Sequence, residues 1–389
     1  MTQKCAQASE RFDLIVLGAG PAGSAAAMNA VRAGLRVALV DKARFPRNKL
    51  CGGGLTGRAI ARYGRTFGGT LPPVPLERRD MFTFHAFGQP LGASRDAPPL
   101  YLGMRYELDA ALVEQALAAG VVDFTGQSGG RLDPDGPAVD LPGGRIEAPL
   151  LIAADGVNSN TARTLFGTAF DRARIGFALE VEHPGADADR PLRIDFGAAD
   201  WGYGWQFPKP LGTTVGLGGV LSRNADMKSA LYHYLDQLGL PDTLPVKGQF
   251  LPFGDFRTVP GKGRILLAGD AAGLVDPITG EGIAHALDSG ALAAEAARRA
   301  LEQGTPDSAL AAYTRALRPI HRGLRHARLL RNLMFRETLR PAFIRSFRGS
   351  RTLRGEYLRM MAGETDYGPL MQKMAARLPG FAWRAVSGT

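Results

Sequence analysis

Apolar runs, alternating stretches and small-residue helices succeed one another along this chain. FDLIVL at 12–17 is a continuous apolar run ending at Gly18, a small-residue stretch from Pro21 to Ala33 follows, and RVALVD at 36–41 is a second run. Strand, glycine turn, helix and strand within about 30 residues is a βαβ unit, whose parallel strands require a right-handed crossover. MFTFHAF at 81–87 and IGFALEVE at 175–182 alternate instead, as TTVGLGGV at 213–220 does more weakly, and predict strands of a separate antiparallel sheet. ELDAALVEQALAAG at 107–120 predicts a helix closed by Gly120. LLIAAD at 150–155 and RILLAGD at 264–270 read as further buried strands. A long Ala-rich helix to about Arg299 then precedes GTP at 304–306. Parallel-sheet elements therefore occur early, in the middle and late. The expected class is α/β: a nucleotide-binding domain discontinuous in sequence, with an inserted antiparallel sheet and a helical C-terminal region.

A chain of 389 residues is too long for one ordinary domain and short for three. With 45% hydrophobic and 22% charged residues it can build a large core, which excludes wholesale disorder. Cys5 and Cys51 are the only cysteines, excluding a disulfide scaffold and a cysteine-ligated zinc or iron–sulfur centre, and a reducing cytoplasmic setting fits. MTQKCAQASE lacks the basic region and apolar core of a secretory signal. The uncharged stretch from Leu14 to Val31 contains Gly18, Gly20, Pro21 and Gly23 near its start and reads as a turn, not a membrane span. Formal charge is +10, and between Arg315 and Arg354 there are twelve Arg, two His and one acidic residue, Glu337. Arg315, Arg318, Arg322 and Arg325 fall at helical spacing. They read either as a solvated helix face or as a contact for anionic lipid headgroups or an acidic partner. Nucleic acid is not expected, because no binding motif accompanies the charge.

Gly18, Gly20 and Gly23 form GAGPAG between a strand and a helix. Such glycines allow a tight turn, close backbone approach to a pyrophosphate, and close helix–sheet packing, while bare amides and the helix dipole face the anion. Asp41 ends the second strand 23 residues after Gly18, where a carboxylate can accept from ribose hydroxyls. The bland reading is a structural turn, and NAD or FAD cannot be decided from this motif. Cys51, Gly52, Gly53 and Gly54 form a loop that lets backbone approach a flat ring. Cys51 reads either as a group that places substrate or relays a proton, or as an inert thiol. Trp201, Tyr203, Trp205 and Phe207 alternate, so a strand would present them on one face, as a pocket wall or as ordinary packing, with Phe82 and Phe84 as possible further lining. The six His show no metal spacing and no GxSxG occurs, which disfavours a metal or serine hydrolase.

Four segments resemble FAD-dependent oxidoreductases of the para-hydroxybenzoate hydroxylase type and, within them, the geranylgeranyl reductase family. They are KLCGGGLTGRA (49–59), LIAADGVNSNTAR (151–163), WGYGWQFPK (201–209) and RILLAGDAAGLVDPITGEGI (264–283). The third is close to that family's YxWxFP. The resemblance implies a Rossmann-like FAD-binding domain at 1–80, 105–165 and 262–314, a substrate domain at 81–104 and 166–261, and a basic helical region at 315–389. It places Arg105 against the FAD phosphates or ribose, Asp155 at the pyrophosphate region and Asp270 on a ribitol hydroxyl, an N-cap being the bland alternative for Asp270. It sets Gly280, Gly282 and Ile283 at the helix start facing the flavin's N1 and C2 carbonyl, and the Cys51–Gly52 loop over the ring. Tyr203 and Trp205 match the family motif.

The expected function is FAD-dependent saturation of carbon–carbon double bonds in a geranylgeranyl or polyprenyl chain on a lipid, quinone or chlorophyll-type head group. Cys51, Tyr203 and Trp205 are the expected catalytic residues. The electron donor would be NAD(P)H, reduced ferredoxin or a flavin reductase, and the location cytoplasmic with peripheral docking on an anionic membrane surface. The rival readings are a flavin monooxygenase or halogenase of the same fold and a non-catalytic flavin-binding assembly module. Halogenases carry WxWxIP, and Tyr203 and Phe207 depart from it.

Overall fold

The computed structural model describes residues 9–128, 130–133, 136–185 and 190–375. Most of the segment read for a targeting signal, Cys5 included, and the end of the 315–389 region lie outside the described residues. A six-stranded sheet has the order Gly261–Lys262, Ile265–Leu267, Leu150–Ala153, Leu14–Leu17, Val37–Asp41, Val122–Thr125. All its pairings are parallel except that of the Gly261–Lys262 edge strand. Leu14, Ile15, Val16, Leu150, Leu151 and Ile152 have no exposed surface. Burial on both faces explains why these strands read as unbroken apolar runs. The glycine-loop helix, Pro21–Arg32, and the long Ala-rich helix, Ile283–Glu302, pack together. A Cβ at Gly290 would lie 2.1 Å from the Ala22 carbonyl oxygen, so the contact is backbone against backbone.

A seven-stranded sheet has the order Lys247–Leu251, Gly176–Pro184, Gly212–Val220, Tyr203–Lys209, Leu192–Phe196, Phe82–Ala86, Gln89–Ser94. It departs from the expected all-antiparallel form at one pair, Leu192–Phe196 with Phe82–Ala86, which is parallel. One face packs Val181, Val215 and Leu217 against the helix Met227–Gln237. The opposite face carries Phe82, Phe84 and Phe196, with Phe84 and Phe196 stacked at 6.4 Å. Phe343, Phe347 and Tyr357 cap these rings edge-on at 5.4–5.9 Å.

Phe82 and Phe84 are therefore core residues under the C-terminal helices, and not pocket lining as entertained from sequence. Those helices, Arg318–Phe335, Arg340–Gly349, Arg351–Ala362 and Tyr367–Ala375, bury Leu330, Leu333 and Met334 against this sheet, while Leu324 packs into the core of the parallel sheet. Arg315, Arg318, Arg322 and Arg325 face solvent as a charged helix side should, but Arg354 is buried and donates to the carbonyls of Leu91, Phe347 and Arg348. Two small sheets were not legible from periodicity, because strands of two to four residues are too short to show one. One links Glu10–Arg11 to residues 131–147; the other joins Gly54–Leu55, Leu100–Leu102 and Glu77–Arg79. Among the described residues no helix is long and apolar enough to cross a membrane.

Because Phe196 touches three capping rings, Phe196→Ala should cost about 3–5 kcal/mol, read as a lowered urea midpoint of the FAD-loaded protein. An unchanged midpoint would contradict docking of the C-terminal helices on this face.

Candidate active site

The glycine loop leaves the Leu14–Leu17 strand at Gly18, whose φ of +91° is a left-handed conformation. A Cβ at Gly18 would sit 2.3 Å from the Ala154 oxygen, and one at Gly23 would sit 1.7 Å from the Gly18 oxygen. Strand end, turn and helix thus touch through bare backbone. Gly20 is the N-cap of Pro21–Arg32, Pro21 fills the first helical position, and no side chain caps the end. The helices Gly57–Phe67 and Asn160–Phe166 are capped by Thr56 and Ser159. Asp41 accepts from the Ala19 amide at 2.8 Å and from the Ala43 amide at 2.8 Å, so it holds the glycine loop as well as closing its strand. Asp155 turns the other way: its oxygens accept from Ser159 Oγ at 2.6 Å and the Thr161 amide at 3.0 Å, building the start of Asn160–Phe166. Its neighbour Ala154, not its own carboxylate, meets Gly18.

Beside this loop lies a half-buried cation cluster. Arg105 grips Asp109 with two hydrogen bonds of 2.7 and 2.8 Å, and Arg47 reaches the same carboxylate at 3.1 Å. Arg47 Nη2 lies 3.5 Å from where a Gly20 Cβ would be, while its Nη1 is buried without a partner. Lys49 completes the group. Burial lowers its pKa, Asp270 opposes that shift, and Arg105 and Arg47 add to it. Three cations therefore face two carboxylates next to an open helix N-terminus, a net positive charge that suits an anion. Sequence reasoning found Arg105 but singled out neither Arg47, which lies outside every quoted motif, nor Lys49, which opens the KLCGGGLTGRA segment without a role assigned to it. Their only signal was position, between the ribose acid Asp41 and the Cys51 loop.

The second half of the site gathers around Cys51. A Cβ at Gly52 would meet the Phe207 ring at 3.0 Å and Trp205 Nε1 at 3.5 Å. Tyr203, Trp205 and Phe207 stand in a row with ring centroids 5.8 and 6.4 Å apart. Trp201 does not join them: it lies in the preceding turn with φ of +54°, before strand alternation begins at Tyr203. Tyr203 Oη donates to the Thr279 carbonyl at 2.6 Å and is 2.3 Å from where a Gly280 Cβ would stand, so only glycine fits there. Two residues on, Gly282 caps Ile283–Glu302 with no side-chain partner. Asp270 sits in a short turn beyond the Ile265–Leu267 strand and is not the cap of that helix; its Oδ1 lies 3.6 Å from the Gly282 Cβ position. The turn before Gly280 is shaped by buried Asp276. Its Oδ1 accepts from the Ile278 and Thr279 amides at 2.8 and 3.0 Å, and its Oδ2 accepts from Tyr367 Oη at 2.5 Å.

One buried acid was missed altogether. Glu180 Oε1 accepts from the Cys51 amide at 3.1 Å, while Oε2 is buried without a partner, as is Trp205 Nε1. Trp205, Gly216 and Glu180 are consecutive in register across three strands. A Cβ at Gly216 would lie 2.5 Å from the indole and 2.9 Å from Glu180 Cβ, so this glycine lets ring and acid share the same gap. Burial pushes the Glu180 carboxyl up to about 7, against the pull of Lys209 and with a smaller push from Glu182. The strand GFALEVE carries two acids, Glu180 and Glu182, of which only Glu180 is buried, a difference its pattern does not show. The Cys51 thiol is half-buried and accepts from the Gly53 amide at 3.4 Å.

These residues fit FAD: two uncapped helix starts and unspent cations suit a pyrophosphate, and glycine backbone beside aromatic rings suits a flat ring. A family model described as FAD dependent oxidoreductase matches residues 13–68, which include the glycine loop, Asp41, Arg47 and Cys51. The chain is an FAD-dependent oxidoreductase. It is 35% identical to the menaquinone reductase of Mycolicibacterium smegmatis, over 73% of this chain and 76% of that protein. To the geranylgeranyl diphosphate reductase of Rhodobacter capsulatus it is 31% identical, over 76% of this chain and 77% of that one. A solved structure of a geranylgeranyl bacteriochlorophyll reductase-like protein from Thermoplasma acidophilum shares the fold, with a TM-score of 0.79 at 20% identity over 95% of this chain and 100% of that one. The chain belongs to the geranylgeranyl reductase family of FAD-dependent oxidoreductases.

Removing the unspent guanidinium beside Gly20 should weaken FAD binding. Arg47→Ala is expected to lose about ten- to a hundredfold in FAD affinity, seen as pale protein after dialysis. Retention of full yellow colour at wild-type affinity would refute the contact.

Proposed function

We propose that this enzyme saturates carbon–carbon double bonds of a geranylgeranyl or other polyprenyl chain. The observation that carries the reading is the meeting of the Cys51–Gly52 loop, the Tyr203/Trp205 wall and the open Gly282 helix start in one place, in a chain of this family. Reduced FAD supplies the hydride when bound. An isolated alkene is a poor electrophile, so the protein's share is position and exclusion of water: reacting atoms must be held at about 3–3.5 Å. Gly18, Gly20 and Gly23 with Arg47 and Arg105 would hold the pyrophosphate, Asp41 the adenosine ribose, and Asp270 the ribitol. Asp155 would serve that end by fixing the turn against Gly18. The amides opening at Gly280, Gly282 and Ile283 would face the pyrimidine edge, where negative charge is best met by a helix N-terminus.

Saturating an alkene takes a hydride at one carbon and a proton at the other. Glu180 can hold that proton at its unpartnered Oε2, in reach of the Cys51 loop and the Trp205 ring, because burial keeps its acid form populated near neutrality. Tyr203 is anchored to the Thr279 carbonyl and walls the site as a neutral phenol. Cys51 places the substrate, its thiol set by the Gly53 amide. The electron donor would be NAD(P)H, reduced ferredoxin or a flavin reductase. The exposed Arg315, Arg318, Arg322 and Arg325 would dock the protein peripherally on anionic lipid, from a cytoplasmic location.

Two measurements test this reading. In anaerobic single turnover, photoreduced enzyme should saturate a prenyl substrate without oxygen; product formed only when oxygen is admitted would establish the monooxygenase or halogenase reading instead. The acid form of Glu180 is the active one, so the wild-type rate of alkene reduction should fall as pH rises through about 7. Glu180→Gln should be slower by about 100-fold and flat across that range, with FAD binding intact. A wild-type pH profile retained in the variant would remove Glu180 from proton delivery.

A further inference from the structure

Behind the Tyr203 end of the site, a cleft of about 260 Å3 opens between the turn after the Gly212–Val220 strand and the helix Arg318–Phe335. Trp201 and Phe253 form its apolar floor, and four guanidinium groups surround it. Arg223 lies 4.4 Å above the Trp201 ring. Arg331 lies 5.7 Å from Trp201 and 5.8 Å from Phe253, and donates from Nη1 to the Phe253 carbonyl at 3.1 Å, but its Nε is buried without a partner. Arg328, three residues earlier on the same helix, packs against Gly254. Arg174 closes the far side, paired with Asp171 at 3.5 Å and Asp255 at 3.4 Å. Asp255 is the single carboxylate in the lining, and it belongs to Arg174. Arg223, Arg328 and Arg331 have no ion pair among the described residues.

Three unpaired guanidinium groups around one small cleft repel one another unless something anionic lies between them. Arg331 is brought down to about 10 first by its burial and then by Arg328 and Arg223, with Asp276 pulling the other way. Planar guanidinium groups held on aromatic rings are preorganised to meet phosphate oxygens two at a time. The cleft falls just below the size of small-molecule pockets, about 300–1,000 Å3, which suits a head group better than a chain. Its floor joins the reaction site: Trp201 and Tyr203 both pack on the cluster of Val220, Phe253 and Val275, and Tyr203 reaches Gly280.

We propose that the cleft formed by Trp201, Phe253, Arg223, Arg328 and Arg331 binds the phosphate or diphosphate group of a reactant of this enzyme. Two reactants could present that chemistry: a prenyl diphosphate or phospholipid substrate, or a phosphate-bearing pyridine nucleotide as electron donor. The substrate source rests on the polyprenyl reading above; the anion site itself does not.

The test uses FAD-loaded enzyme and the double variant Arg223→Gln with Arg328→Gln, which leaves buried Arg331 and the residues around FAD untouched. Titration calorimetry with inorganic pyrophosphate should show saturable 1:1 binding to the wild type, weakened about tenfold or more in the variant, since each lost charge-assisted contact is worth about that factor. Absent binding, or equal binding by both proteins, would overturn the site. In turnover, a KM for geranylgeranyl diphosphate raised about tenfold, with kcat and the KM for geranylgeraniol unchanged, would assign the substrate as the source. A raised KM for NADPH with unchanged prenyl kinetics would assign the donor. Weakened pyrophosphate binding with neither KM moved would refute a reactant as the occupant. Inactivity on every prenyl compound would defeat the polyprenyl reading while leaving the calorimetric result to stand for the anion site.

Discussion

The site depends on backbone lying directly against backbone at a few glycines. Gly18 against Ala154, Gly23 against Gly18 and Gly290 against Ala22 each leave no room for a single methyl group. Those contacts draw the start of Pro21–Arg32 onto the carboxyl end of the parallel sheet and lock Ile283–Glu302 beside it. Each helix then delivers an uncapped first turn, and an uncapped turn carries about half a positive charge. In a less tightly packed sheet the same helices would be ordinary amphipathic cover. Here no side chain among the described residues caps either start, which leaves both turns open to a ligand.

Charge is distributed along the site according to the chemistry each end must meet. At the glycine-loop end Arg47, Lys49 and Arg105 outnumber Asp109 and Asp270, and one guanidinium nitrogen has no partner among the described residues. At the Cys51 end three aromatic rings stand in a row, and burial pushes the carboxyl of Glu180 beside them up to about 7. A low-dielectric wall favours neutral groups and strengthens every remaining dipole. The same surroundings that would suit an alkene also keep a carboxylic proton available.

Much of this was legible in the sequence where function rides on local pattern. GAGPAG, the acid at Asp41 and the apolar runs around them are determined by contacts within a βαβ unit, and the strands, the crossover helix and the glycine turn lie where their pattern put them. Trp201 illustrates the limit of periodicity: the alternation of four aromatics was real, but a left-handed turn intervenes before the strand and takes Trp201 to another surface. Phe82 and Phe84 were ambiguous because a strand shows which residues share a face but not what covers it, and the cover comes from residues more than 250 positions away. Glu180, Arg47 and Lys49 were missed for one reason, and the tie from Asp276 to Tyr367 was hidden by the same one. Each gains its meaning from a partner distant in sequence, such as the Cys51 amide for Glu180, and no spacing rule records such a pairing.

Asp276 joins two parts of the molecule that the chain order keeps apart. One of its oxygens ties down the turn leading to Gly280, and the other is held by Tyr367 in the last described helix. The terminal bundle cannot hinge outward without unseating the carboxylate that shapes that turn. The seating of the last described helix and the shape of the turn before Gly280 are thereby coupled through one buried carboxylate.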